Sequence, residues 1–211
     1  MEALILYFIL FFPGFMNTPG SISETGTFSA IRELSRTITY AVPGFTLIWY
    51  LMQDKKGFSA LKTEKPEKKD LLPFIIGFAC LIIIGLGISF LINYLPEPQG
   101  LPPPPKINAP VNPAGWIVMV LSCLSTGYLE ESYFRYYLLS KFEDLIPRAA
   151  LRIMLSTILF AVCHIYEGPW GIMNSALAGI ILGIIFIKYR SLHGIAIAHG
   201  AYNIFVYVIG T

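Results

Sequence analysis

Tyr128-Leu129-Glu130-Glu131-Ser132-Tyr133-Phe134-Arg135 sets two adjacent carboxylates and an arginine inside an otherwise apolar run, Gly115 to Leu139. Crossing the hydrocarbon of a bilayer takes about 20 apolar residues, and this run is long enough. Each charge at the centre of such a helix costs about 2.5–3.5 kcal/mol on insertion scales. Three charges within six residues therefore call for a use. On a helix Glu131 and Arg135 stand at i and i+4 and can pair on one face. Glu130 is rotated about 100° away from Glu131 and has no such local partner. Its purpose is the question the sequence poses.

Composition gives the setting. Of the 211 residues 55% are hydrophobic and 13% are charged, where a soluble domain carries about 25% charged residues. The mean hydropathy of +0.64 agrees. The bilayer is then the main solvent, and residues 1–211 read as a single integral membrane domain, with the motif-bearing part at about 115–210. The expected fold is all-α, a polytopic membrane helix bundle of about seven transmembrane helices. The localisation follows: a multi-pass integral membrane protein, in the cell (inner) membrane if the source is bacterial. A formal net charge of +2 says little about partners, and no nucleic acid is expected among them. Cys80, Cys123 and Cys163 sit in apolar runs without paired spacing. They read as small buried hydrophobes, not as a disulfide framework or a zinc-type pair.

Taken in order, Met1 to Met16 is apolar and lacks the basic start and the clean cleavage site of a signal peptide. It reads as a retained first helix, short for a span. Asn17 to Arg36 is polar, with a turn at Pro19-Gly20, and Ser29 to Arg36 starts the next helix early. Thr37 to Met52 is the second span, interrupted at Pro43-Gly44. Asp54 to Asp70 carries six lysines and reads as a solvated cytoplasmic loop; binding of a lipid headgroup or substrate is the alternative. Leu71 to Leu95 is the third span. Pro96 to Pro113, with Pro102 to Pro105 in a row, reads as a stiff polyproline II loop. Gly115 to Leu139 is the fourth span, followed by a charged turn from Lys141 to Arg152 with a helix start at Pro147. Arg152 to Tyr166, Trp170 to Ile187 and Gly194 to Ile209 are the fifth, sixth and seventh spans. Lysine and arginine gather at the 54–70, 141–152 and 188–190 connections. These alternate, which places the N-terminus inside and the C-terminus outside. No repeat at a fixed period is present.

Other polar groups fall inside these spans. His164 follows Phe160 at i+4 near the end of the fifth. Asn203 follows His199 at i+4 in the seventh. Each pair projects from one helix face. A single histidine on an apolar helix is ordinarily a hydrogen-bonded core residue, but here three helices supply such groups together. Glu130, His164, His199 and Asn203 are therefore expected in one internal cavity. Depth opposes this: counted from the cytoplasmic side, His164 lies several ångströms beyond Glu130 and His199 at about 1.5 Å per residue. Ser132, Ser156, Thr157 and Ser175 occur in no nucleophile motif and read as backbone hydrogen-bonding groups. His193, Trp116, Tyr166 and Trp170 read as interfacial residues.

Glu130-Glu131-x-x-x-Arg135, then Phe160-x-x-x-His164, then His199-x-x-x-Asn203, in that order on successive membrane helices, resembles the CAAX protease and bacteriocin-processing (CPBP, or Abi) family. Its eukaryotic members are the type II CAAX prenyl endopeptidases. All three motifs are complete, and they cover the C-terminal half of the chain. The resemblance implies an intramembrane glutamate protease. It implies that Glu130 and His164 activate water, that His199 and Asn203 form an oxyanion hole, and that Glu131, Arg135 and Phe160 support them. It also implies a peptide or protein substrate, lipidated ones included, in contact with membrane lipids, and no cofactor. Chemistry agrees, since peptide hydrolysis needs an activated water, a proton for the leaving amine and donors for the oxyanion.

Three alternatives stand beside this reading. Glu130, His164 and His199 are also a possible ligand set for a divalent metal with water in the fourth position, although no His-Glu-x-x-His motif is present. A non-catalytic scaffold or immunity-type protein would keep the cavity without turnover. A proton-coupled transporter is a third possibility, disfavoured by the lack of inverted halves.

Overall fold

In a computed structural model, residues 2–16, 28–53, 65–94 and 108–209 are described, residues 12–16 by their backbone alone. The turn at Pro19-Gly20, most of the lysine-rich connection and most of the proline-rich loop lie outside the described residues. Seven helical rods make up the rest, with no strand among the described residues. α1 is Glu2–Met16. α2, Ala30–Arg36, runs through a π turn at Thr37–Ala41 into α3, Val42–Met52. α4 is Leu71–Tyr94. α5, Pro113–Glu131, runs through a second π segment, Ser132–Tyr137, into α6, Leu138–Lys141. α7 is Ala149–Val162, α8 is Gly168–Tyr189 and α9 is Leu192–Ile209.

Three helices, Lys68–Tyr94, Ile165–Tyr189 and Leu192–Ile209, are long and apolar enough to cross a membrane. Glu2–Phe11 and Ala149–Val162 are shorter apolar helices. Large apolar side chains such as Ile75, Ile83, Leu86 and Phe90 of α4 face outward. That is the pattern of a bundle whose outer solvent is lipid.

The second rod corrects one expectation. Pro43-Gly44 does not interrupt the helix. The Val42 N–H reaches back to the Thr37 carbonyl, opening a wider turn just before Pro43. A proline has no N–H and presses on the carbonyl one turn back; the π turn makes room for it, and the helix continues. Gly44 then lies against α5, where a Cβ would stand 2.8 Å from Leu129 Cδ1.

The second π segment sits directly after the carboxylate pair. It bends the ladder so that Ser156 of α7 donates to the Phe134 carbonyl at 2.6 Å. Buried polar groups need such partners. α1 is tied to the same segment: the Tyr133 hydroxyl donates to the Ala3 carbonyl at 2.6 Å, and the Tyr137 hydroxyl to Glu2 at 2.6 Å. Arg152, expected at the end of a charged turn, instead lies inside α7, buried, with Nη1 3.4 Å from Glu143 Oε1.

Two junctions fix α9. At its start, Ser191 Oγ accepts from the Gly194 N–H at 2.9 Å and donates to Asp70 at 2.5 Å, locking α9 to the beginning of α4. In its middle, Gly200 meets Gly127 of α5. A Cβ on Gly127 would lie 2.7 Å from the Ala196 carbonyl oxygen and 2.8 Å from the Gly200 nitrogen. Small residues let membrane helices approach this closely. The crossing sets Glu130 and Glu131, about one turn further along α5, beside His199.

Candidate active site

Glu131 is fully buried, at 0% exposure. Its Oε1 accepts from Arg135 Nη1 at 3.0 Å and from His199 Nδ1 at 2.7 Å. An ionised carboxylate only accepts, so Nδ1 carries a proton and the ring orientation is fixed. Nε2 then points the other way, 3.6 Å from Glu130 Oε2. That separation is longer than a hydrogen bond. His199 thus stands between the two glutamates, held by one and facing the other.

Phe160 is the platform beneath the site. The Arg135 guanidinium lies 4.4 Å from its ring centroid, a cation–π contact in a dry setting. Both imidazoles pack edge-to-face on the same ring, His164 at 4.7 Å and His199 at 6.0 Å between centroids. One apolar side chain therefore sets the relative positions of three polar ones.

His164 is not on the helix, as its position in the fifth span suggested. α7 ends at Val162, and the His164 N–H bonds to the Ala161 carbonyl in a tighter turn. The ring folds back, and Nδ1 lies 2.8 Å from the Phe160 carbonyl oxygen. A carbonyl cannot donate, so Nδ1 supplies the hydrogen, and in the neutral ring Nε2 keeps a lone pair. His164 and His199 pack on the same Phe160 ring, so the two imidazoles meet despite the depth difference expected from sequence. Cys163 is buried as expected, with Sγ 3.4 Å from the same Nδ1.

A cavity of about 790 Å³ brings these groups together. Glu130, His164, His199 and Asn203 all lie on its wall, while Glu131, Arg135 and Phe160 lie behind it. Asn203 is one turn beyond His199 on α9. Tyr166 and Trp170, read from sequence as interface anchors, also line the cavity. α7 is so short that the following turn stays inside the bundle. His193 pairs through Nδ1 with the Tyr128 hydroxyl at 2.9 Å.

Sequence reasoning passed over a second polar patch of the wall. Glu33 accepts from Ser122 Oγ at 2.8 Å, and Arg36 donates to Thr126 Oγ1 at 2.9 Å. Ser122 and Thr126 stand two turns and one turn before Glu130 on α5, on the same face. Glu33 and Arg36 looked like part of a polar connection. The signal that would have found them is the i, i+4, i+8 row Ser122, Thr126, Glu130, three polar positions on one face of an apolar helix.

Both imidazoles are hydrogen-bonded through Nδ1, which is how metal-binding histidines are held. Taken one at a time, the donors suit a metal such as zinc. Among the described residues, however, no group of three His, Cys, Asp or Glu side chains is placed to hold an ion.

Comparison with known proteins bears on the same region. Residues 112–205 match the family model described as type II CAAX prenyl endopeptidase Rce1-like. No curated protein and no solved structure gave a match. The matched stretch opens at Asn112, the N-cap of α5, and ends on α9 two residues beyond Asn203. It therefore takes in the glutamate pair, Phe160, His164, His199 and Asn203. A family of endopeptidases implies a peptide or protein substrate, and the long apolar helices place the chain in a membrane. Over residues 112–205 this membrane protein is similar to the Rce1-like type II CAAX prenyl endopeptidase family.

Proposed function

We propose that this protein is a glutamate-dependent intramembrane endopeptidase, with its chemistry at Glu130, His164, His199 and Asn203. Glu130 is the carboxylate not committed to an arginine, and its side chain is 14% exposed toward the cavity. It takes a proton from water as the water oxygen attacks the peptide carbonyl carbon. His164, holding a lone pair on Nε2, is a second acceptor for that water. The carbonyl oxygen gathers negative charge; the side-chain N–H of Asn203 donates to it, and so does Nε2 of His199 when the imidazole carries a proton on both nitrogens. The C–N bond then breaks as the proton passes from Glu130 to the leaving amine. A lipidated peptide is the substrate that the family description suggests.

The observation carrying this reading is the contact of Glu131 with His199, 2.7 Å across two helices. One carboxylate is used to neutralise Arg135 and orient the imidazole, which leaves its neighbour available as a base. Purified protein incubated with internally quenched peptides provides the test. Cleavage by the unaltered protein and its loss in a well-folded Glu130→Gln variant support the reading; turnover retained in Glu130→Gln would sink it.

In a second reading Glu130, His164 and His199 would hold a divalent metal that would activate the water; the shared Nδ1 anchoring of the two imidazoles favours it, and the spacing of the three groups among the described residues does not. Exhaustive chelation with elemental analysis separates the two. The glutamate mechanism expects turnover to survive in metal-free protein.

A further inference from the structure

We infer that Asn174 is a substrate-binding residue: its side-chain N–H donates to a backbone carbonyl of the bound peptide beside, not at, the bond to be cleaved, and Tyr202 positions it for this. The inference rests on the endopeptidase reading of the cavity and adds how the peptide is held there.

A peptide drawn into a cavity inside a membrane domain brings backbone groups that water no longer serves, and each one left unpaired is costly. Glu130, His164, His199 and Asn203 are committed to the scissile bond. The flanking peptide needs partners of its own on the wall.

α8 supplies one. It belongs to a helix long and apolar enough to cross a membrane, and Asn174 is its one carboxamide. A polar side chain inside such a run is expensive and marks a use. Glu167, Trp170, Gly171 and Asn174 all line the cavity. They stand at i, i+3, i+4 and i+7, which is one helix face. The next residue, Ser175, is buried instead.

The Tyr202 hydroxyl donates to Asn174 Oδ1 at 3.4 Å. A phenol that donates to the amide occupies its oxygen and leaves the two N–H donors of Nδ2. Among the described residues those donors meet no acceptor. Asn174 is only half-buried, on the wall of a cavity of about 790 Å³. A carbonyl oxygen of an extended peptide is the group these donors suit.

Tyr202 is itself held. A Cβ on Gly85 of α4 would lie 2.5 Å from its hydroxyl oxygen and 3.1 Å from its Cε2. The phenol therefore reaches Asn174 through a gap that a larger residue at 85 would close. Tyr202 follows His199 by three residues and precedes Asn203 by one. The turn of α9 that carries the proposed oxyanion donors thus also sets the place of Asn174, and with it which carbonyl of the peptide meets Nδ2.

The test uses the full chain in nanodiscs and a fluorescent prenylated CAAX peptide, the class that the family description names. Copies of the peptide each have one backbone amide replaced by an ester, whose carbonyl is a poorer acceptor. Equilibrium binding is read in the Glu130→Gln background, and turnover in the unaltered background. With Asn174 present, the ester at one position should weaken binding about three- to tenfold, the range for one hydrogen bond. Asn174→Ala should weaken binding of the parent peptide by a like factor, and the ester at that position should then cost nothing further. In turnover Asn174→Ala should raise KM and keep kcat, as loss of a contact equally strong in ground and transition states does. Tyr202→Phe breaks the same link between α8 and α9 but leaves Nδ2, so it should keep the penalty of that ester. Equal ester penalties with and without Asn174 would overturn the inference. So would a fall in melting temperature shared by Asn174→Ala and Tyr202→Phe with peptide binding unchanged, or absence of peptide binding altogether. Ester penalties that depend on Asn174 in a protein that cleaves no peptide would instead count against the endopeptidase reading and leave the anchor standing.

Discussion

Glu131 Oε1 lies 2.7 Å from His199 Nδ1 and 3.0 Å from Arg135 Nη1, so one buried oxygen joins α9 to the π segment that follows α5. This oxygen couples stability to chemistry. Glu131→Gln keeps the shape but removes the charge that Arg135 faces at 1% exposure. Breaking one half of a buried ion pair typically costs about 3–5 kcal/mol. Thermal unfolding of Glu131→Gln should therefore fall well below that of the unaltered protein, and turnover should fall with it.

Glu130→Gln is expected to behave differently. Glu130 makes no hydrogen bond to His199, since the separation is 3.6 Å, and it lies on the cavity wall. Its amide should leave unfolding nearly unchanged while cutting hydrolysis by at least ~10², the low end for losing a general base. Equal melting of the two glutamine variants would remove the division of labour between the glutamates.

The crossing of α5 and α9 can be tested without touching a polar side chain. A Cβ at Gly127 would meet backbone atoms, the Ala196 oxygen at 2.7 Å and the Gly200 nitrogen at 2.8 Å. Neither can rotate away, so the helices must part. Gly127→Ala should cost about 1–3 kcal/mol, as overpacking does. It should also lower turnover by lengthening the contact between Glu131 and His199. Gly87 has nothing within 4 Å of its notional Cβ, so Gly87→Ala is the control and should be neutral or slightly stabilising. Equal behaviour of the two variants would mean that the close crossing does not position the site.

Much of this arrangement was legible in the sequence because charges in an apolar helix are costly and so carry information. Glu131 and Arg135 pair at the spacing their positions suggest. Helices whose only punctuation is polar, such as α4 and α9, begin and end close to where hydropathy places them. Two things were not legible. One was the π geometry at Thr37–Ala41 and Ser132–Tyr137, because the cost of a wide turn is offset by tertiary partners such as Ser156. The other was the role of Glu33 and Arg36. Their partners Ser122 and Thr126 are some 90 residues away, and a polar helix start looks the same whether it faces water or a cavity. Tyr166 and Trp170 were misread for a related reason. An aromatic residue near a span end suits an interface, unless the span is too short to reach it.

Asn203→Ala separates chemistry from packing at the third motif. Asn203 lies one turn beyond His199 and lines the same cavity. A donor to the oxyanion meets a charge present only in the transition state, so its loss should leave substrate affinity in place and lower kcat. Removing one such donor typically costs about 10²–10³ in turnover, or roughly 3–4 kcal/mol. If Asn203 only bridged helices, its loss would cost about 0.6 kcal/mol of stability, the average for membrane hydrogen bonds, and kcat per folded molecule would stay as it was. His199→Ala provides the comparison. It removes a proposed donor and also leaves Glu131 without one of its two partners, so it should reduce both kcat and thermal stability. Asn203→Ala should reduce kcat alone. Steady-state kinetics and melting curves on the two variants give four readings. An unchanged kcat in Asn203→Ala would remove the amide from the oxyanion hole and leave His199 Nε2 as its remaining side-chain donor.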